Sequence, residues 1–170
     1  MADLKKIHAD PIHELFEQMD DTRAGMLGVM GSGQHMQPMT HFVDRGARKV
    51  YFITSKDTDL VKAVGEGDVA HYCVTSTKQD FYACLKGSLR ISKDAAKLDE
   101  LWSSVVAAWF DGGKQDPDVC LLELDLIDAA LWASTRNPLV FGLEIARANR
   151  DETHTPDVGE HLVVKFDKAA

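Results

Sequence analysis

The chain has 170 residues, 45% of them hydrophobic and 27% charged, the balance of a globular protein with a proper core and not of a disordered chain. Its 19 Lys and Arg stand against 27 Asp and Glu, a net charge of −8. With the basic residues dispersed, no counterion release drives nucleic-acid binding, and there is no polybasic anchor or apolar run near the roughly 20 residues that span a bilayer.

The opening stretch, MADLKKIHADPIHELFEQMDD, lacks the uninterrupted apolar run of a signal peptide, and a cytoplasmic location is expected. Asp10 as N-cap and Pro11 at the first helical position start a helix in which Ile12, Leu15, Phe16 and Met19 recur at helical spacing. Gly25 to Met30 is a short apolar run that reads as a strand, and Gly31-Ser32-Gly33 as the turn after it. Gln37 to Val43 returns as the second arm of a hairpin, and Asp44 to Arg48 is the next turn. Val50-Tyr51-Phe52-Ile53-Thr54, β-branched and aromatic, is a strand. A short helix follows, with Thr58 as N-cap and Leu60, Val61 and Val64 inside, stopped by Gly65 and Gly67. Val69 to Val74 and Phe81 to Ile91 are two more strands.

Leu98, Leu101, Trp102, Val105, Val106 and Trp109 fall at the spacing of one amphipathic helix, ended by Asp111-Gly112-Gly113. Cys120 to Ile127 alternates Leu122, Leu124 and Leu126 with Glu123 and Asp125, the pattern of a half-exposed strand. Asn137-Pro138 opens a last helix through Ala148, and His161 to Phe166 adds a final short strand. About six strands joined mostly by tight turns, with three or four helices, predict an antiparallel barrel with helices at its ends. No repeat or linker divides the chain, so one domain over 1–170 is expected, with its core in 10–135 and the helix and short strand in 137–168.

The chemistry-bearing motifs are few. Cys73, Cys84 and Cys120 include no CxxC pair and read as small buried hydrophobes in a reducing compartment. His35 and His41 lie an even number of residues apart on one predicted strand, but no third ligand sits at metal-site spacing, so they read as exposed or turn histidines. Gly31-x-Gly33 lacks the third glycine of a dinucleotide fingerprint and precedes no helical pattern. At Thr54-Ser55-Lys56-Asp57-Thr58 a strand ends in hydroxyl residues and meets a helix start, the makings of a phosphate site; Lys56 or Lys62 would add charge, whereas Asp57 and Asp59 oppose it. An ordinary capped helix accounts for the same residues. Trp109-Phe110, beside a glycine turn, suits either a cover for a flat ligand or core packing.

Met36-Gln37-Pro38-Met39-Thr40, then Val50 to Ser55, then Tyr82 to Gly87, then Leu101-Trp102 through Trp109-Phe110-Asp111-Gly112-Gly113-Lys114-Gln115-Asp116-Pro117 together resemble the general stress protein family of the pyridoxamine phosphate oxidase-like, FMN-binding split barrels. The resemblance covers roughly 10–135. It implies a mainly β fold with peripheral helices, a six-stranded antiparallel split β-barrel, and a homodimer with two flavin sites at the subunit interface. The cofactor implied is FMN, with FAD as the alternative. Carried over by position, Gln37, Pro38, Met39 and Thr40 lie along the isoalloxazine edge, and Phe52, Ile53 and Thr54 flank the ring and ribityl chain. Ser55, Thr58 and the helix start at Leu60, Val61 and Lys62 receive the phosphate, and Trp109 and Phe110 come from the other subunit to cover the ring.

Two departures stand out: Gln37 occupies a position where many members carry Arg, and Leu60 one where many carry Lys. Each lost cation weakens a phosphate site by about 1–3 kcal/mol; Lys62, one turn from Thr58, offers compensation. The C-terminal stretch lacks the Arg-rich ending by which true pyridoxamine phosphate oxidases hold substrate, so that activity is not expected. The expectation is a flavin-binding protein, with a flavin-dependent redox reaction on a small molecule as its possible activity and no acid or base residue to name. Gln37, Leu60, Asp57 and Asp59 favour the alternative, a split-barrel dimer that has lost flavin and serves as an interaction protein. A third reading places a deazaflavin or haem in the same fold, with His35 or His41 as haem ligand.

Overall fold

The computed structural model describes residues 4–65, 67–134, 138–151, 154, 156 and 158–166. Two helices open the chain, α1 (Leu4–Ala9) and α2 (Pro11–Asp20). Asp10 caps α2 as the sequence predicts: its carboxylate accepts the His13 N–H at 3.0 Å, and Pro11 loses nothing at a position where no intrahelical donor is needed. The apolar stripe of α2 buries Leu15, Phe16 and Met19.

The strands follow as β1 (Ala24–Val29), β2 (Gln37–Thr40), β3 (Phe42–Asp44), β4 (Lys49–Ser55), β5 (Asp68–Thr75), β6 (Phe81–Ser92), β7 (Val119–Ser134) and β8 (Gly159–Lys165). Between them lie α3 (Asp59–Ala63), α4 (Ala95–Leu101), α5 (Ser104–Ala107), a 3₁₀ turn at Gly113–Gln115 and α6 (Pro138–Ala148). All strand pairings among the described residues are antiparallel, in the order β2-β1-β5-β6-β7-β4-β3, with β8 also on β7. One edge of the long β7 pairs with β6; the other is shared, with β4 along Val119 to Asp125 and β8 along Asp128 to Ser134. The ladder slips between Lys86 and Gly87, where a side chain on Gly87 would run into the Asp125 carbonyl.

The two ends of the strand order, β2 and β3, are neighbours in sequence with only His41 between them. The sheet therefore curls until its edges stand one residue apart, and His41 marks the seam of this half-barrel. Inside the curl, Leu27, Val50, Phe52, Tyr72, Leu85, Leu89, Leu122 and Leu124 are fully buried, in a cluster reaching from Ile7 to Phe166. Among the described residues no helix is long and apolar enough to cross a membrane.

Several expectations need correction. The predicted strand 37–43 is two strands, because the chain changes hydrogen-bonding partner at His41: β2 pairs with β1 and β3 with β4. With β8, this raises the strand count from six to eight. The predicted helix through 98–109 breaks at Trp102, whose backbone is extended, and restarts where the Ser103 hydroxyl accepts the Val106 N–H. Val64 ends α3 in an extended conformation and is not inside it. Glu123, expected on a solvated strand face, is buried between Lys49 Nζ at 2.6 Å and Arg90 Nη2 at 2.5 Å. Pro138 begins α6 as predicted, while its expected cap Asn137 lies outside the described residues.

Candidate functional site

A cleft of about 520 Å³ opens beside the seam. Its floor is Pro38, Met39 and Thr40 of β2 and Phe42 of β3. The end of β4 supplies Ile53, Thr54 and Ser55, followed by Thr58, and the segment from Ser103 to Phe110 overhangs it with Val105, Val106, Trp109 and Phe110.

Local hydrogen bonding sets each wall. The Thr58 hydroxyl donates to the Ser55 carbonyl at 3.1 Å and accepts the Val61 N–H at 3.3 Å, which turns the chain from β4 into α3. Ser103 caps α5 and so aims Val105 and Val106 at the cleft, while Phe110 packs on Trp102 with ring centroids 5.9 Å apart. Beyond the overhang, the Asp116 carboxylate accepts the Asp118 N–H at 2.9 Å and the Gly112 N–H at 3.0 Å, and these bonds hold its carboxyl below the usual range. The Lys56 amine donates to the Pro117 carbonyl and the Lys56 N–H to the Asp118 carbonyl at 2.8 Å, so the loop is tied back to the end of β4. Trp109 itself is 82% exposed, overhanging the cleft instead of filling the core.

The floor is fastened from below. The Tyr72 hydroxyl, buried inside the sheet, donates to the Met39 carbonyl at 2.9 Å and lies 2.6 Å from His41 Nδ1, while His41 Nε2 lies 2.8 Å from the Met19 carbonyl. Burial pushes the Tyr72 phenol up and the His41 imidazole down. With both nitrogens engaged, His41 is half-buried in the link between β2 and β3 and not the exposed histidine expected, and neither of its nitrogens is free for a haem; His35 is exposed, as expected.

Nine of the residues carried over from the resemblance meet in this cleft: Pro38, Met39, Thr40, Ile53, Thr54, Ser55, Thr58, Trp109 and Phe110. Trp109 and Phe110 line it from the same chain as the other seven. Five do not line it. Phe52, Leu60 and Val61 point into the core, Lys62 is exposed on α3, and Gln37 is half-buried at the start of β2 opposite Leu27. Phe52 fails because adjacent strand residues face opposite ways, and the curl turns Ile53 outward. Phe42, Ser103, Val105 and Val106 were missed in the sequence; the Ser103 cap was the available signal.

None of the described lining residues is ionisable. The hydroxyls and apolar surfaces present suit an uncharged, flat, hydrogen-bonding ligand. Cys73 and Cys84 face each other across β5 and β6, and burial together with Cys84 pushes the Cys73 thiol up to about 11, away from nucleophilic character. Among the described residues no three His, Cys, Asp or Glu side chains are grouped to hold a metal ion.

A curled antiparallel sheet of this kind is the split-barrel fold of the general stress proteins. The match to the profile described as pyridoxamine 5′-phosphate oxidase like runs over residues 10–157, and the chain belongs to that family. It is 29% identical to General stress protein 26 of Bacillus subtilis (strain 168) over 131 residues, 74% of this chain and 91% of that protein. Among solved structures it resembles a protein assigned as general stress protein 26 from Jannaschia sp. CCS1, with 40% identity, a TM-score of 0.74, and coverage of 93% of this chain and 99% of the other. It also resembles the general stress FMN/FAD binding protein of Xanthomonas citri, with 37% identity, a TM-score of 0.65, and coverage of 72% and 89%.

Proposed function

We propose that this protein binds a flavin, FMN or FAD, in the cleft at the seam. The observation that carries the reading is the convergence of residues distant in sequence, from Pro38 to Phe110, on one cleft of about 520 Å³, within the size range of cofactor sites. The Xanthomonas citri relative, named for FMN/FAD binding, supports it. Ile53 and Val106 offer apolar surface to a ring, Trp109 and Phe110 an aromatic cover, and the Thr54, Ser55 and Ser103 hydroxyls suit the ribityl chain. A bound flavin supplies hydride and single-electron chemistry, and the protein's part is to position the ring and shield it from water. On this reading the chain is a cytoplasmic flavin-dependent oxidoreductase acting on a small molecule, with no side chain assigned as acid or base.

The same reading makes the protein a homodimer. Its support is the apolar surface left outside the sheet, where Met26, Tyr82, Trp132 and Val163 are exposed, together with Leu139 and Phe141 of α6. The visible spectrum of the purified protein and its titration with FMN test the flavin assignment. Bands near those of free flavin, or saturable quenching at micromolar FMN, are expected; a colourless protein indifferent to millimolar FMN would leave the second reading, a split-barrel interaction dimer without flavin. That second reading has one observation in its favour: the described residues of the cleft lining include no cation.

A further inference from the structure

A phosphate monoester drawn out of water needs compensation, from an ammonium or guanidinium group or from a set of free N–H donors. Among the described residues, the cleft lining carries hydroxyl groups and no cationic side chain. The hydroxyl of Thr58 is already committed as donor to the Ser55 carbonyl and as acceptor to Val61; those of Ser55 and Ser103 accept the N–H groups of Asp57 and Val106 and keep a proton to donate, but as neutral groups they bring no charge to offset a phosphate dianion. The nearest lysine in sequence, Lys56, spends its ammonium group on the Pro117 carbonyl, and Lys62 is exposed outside the lining. Asp57 and Asp59, which flank Thr58 in sequence and are exposed outside the lining like Lys62, add negative charge to a chain whose net charge is already −8. The ring end of the site thus fits a flavin and the phosphate end does not.

We propose that the cleft recognises the flavin through its ring and ribityl hydroxyls alone, with the phosphate left in solvent, so that riboflavin is bound as well as FMN. The inference rests on the flavin reading above and narrows its ligand class to the isoalloxazine with a neutral polyol tail. Specificity then comes from shape and aromatic contact at Trp109, Phe110 and Ile53, and an anionic tail contributes only weak repulsion from Asp57 and Asp59, which salt screens.

Parallel titrations of the full chain with riboflavin and with FMN, followed by flavin and tryptophan fluorescence at about 20 and about 300 mM salt, decide the matter. The expected result is dissociation constants less than fivefold apart, with FMN gaining or unchanged as salt rises. Lys56→Gln and Lys62→Gln should leave the ratio of the two constants unaltered. FMN binding fivefold or more tightly than riboflavin, with an advantage that fades in salt or on either lysine substitution, would overturn the proposal by revealing a cation on the phosphate. Binding of neither ligand would overturn it by a different route, through loss of the flavin reading itself.

Discussion

The Tyr72 hydroxyl and His41 Nδ1 lie 2.6 Å apart at the point where the two edges of the sheet meet. The same hydroxyl donates to the carbonyl of Met39, a residue of the cleft floor, and His41 reaches across to the Met19 carbonyl at the end of α2. Core, seam and floor are thereby one hydrogen-bonded unit. The Met19 carbonyl can only accept, so Nε2 carries a proton; the single Tyr72 proton is then shared between two acceptors, the Met39 carbonyl and the unprotonated Nδ1 of neutral His41.

Removing that hydroxyl should loosen both stability and site. Tyr72→Phe leaves the Met39 carbonyl and His41 Nδ1 without their buried partner, a loss of about 1–3 kcal/mol. Urea unfolding measures it, and ligand affinity should fall in parallel because Met39 forms part of the floor. An unchanged midpoint would mean that the hydroxyl ties nothing down.

His41 should make stability depend on pH. Burial, against the weaker opposing pull of the Met19 carbonyl and Asp20, holds its pKa below the ordinary 6.5. The unfolded chain therefore binds the proton more readily, so this stabilisation is complete above pH 6.5 and declines as the pH falls through that value toward the depressed folded one. The carboxylates held low, Glu17, Asp44 and Asp116, give up their share only in a more acid range, nearer their ordinary 3.8 to 4.5. Melting temperatures between about pH 7.5 and 5.5 should drop for the native chain and follow a flatter course for His41→Gln; equal slopes would remove His41 from the account.

Gly25 is close-fitted to the same tyrosine. A Cβ there would stand 2.7 Å from Tyr72 Cζ and 2.8 Å from its hydroxyl, and would also press on the Cys73 carbonyl. Gly25→Ala must shift β1 or the ring, at about 1–3 kcal/mol, read from chemical denaturation. A neutral outcome would show that the strand has room to move.

Glu123 carries the outer face of β7. Its carboxylate meets Lys49 and Arg90, and the bond from Glu123 raises the Lys49 pKa. Glu123→Gln should cost about 1–2 kcal/mol, at the lower end for charged hydrogen bonds because the half-exposed Arg90 regains water. Thermal melts of Glu123→Gln alone and combined with Arg90→Met separate the pair's share; strict additivity would deny the coupling.

Trp109 separates binding from folding. At 82% exposure it supports little of the core, so Trp109→Ala should leave the unfolding midpoint almost unmoved. Flavin affinity, in contrast, should weaken about two- to tenfold with the loss of one aromatic cover. Equal affinity in the variant would take Trp109 out of the site.

What the residues announced by themselves was local. Asp10-Pro11 starts α2, Thr58 caps α3, and the alternation from Leu122 to Leu126 marks β7, because a cap or a side-chain period is set within one or two turns of chain. The motif residues from Pro38 to Phe110 were legible through resemblance, before any geometry joined them. Only the tertiary structure decided that strand 37–43 changes partners at His41, that Ile53 and not Phe52 faces the cleft, and that Leu60 and Val61 turn inward. Each is a choice between two faces or two edges that alternation permits equally; the curl of the sheet, closed through long-range pairing and the Tyr72–His41 contact, selects one of them.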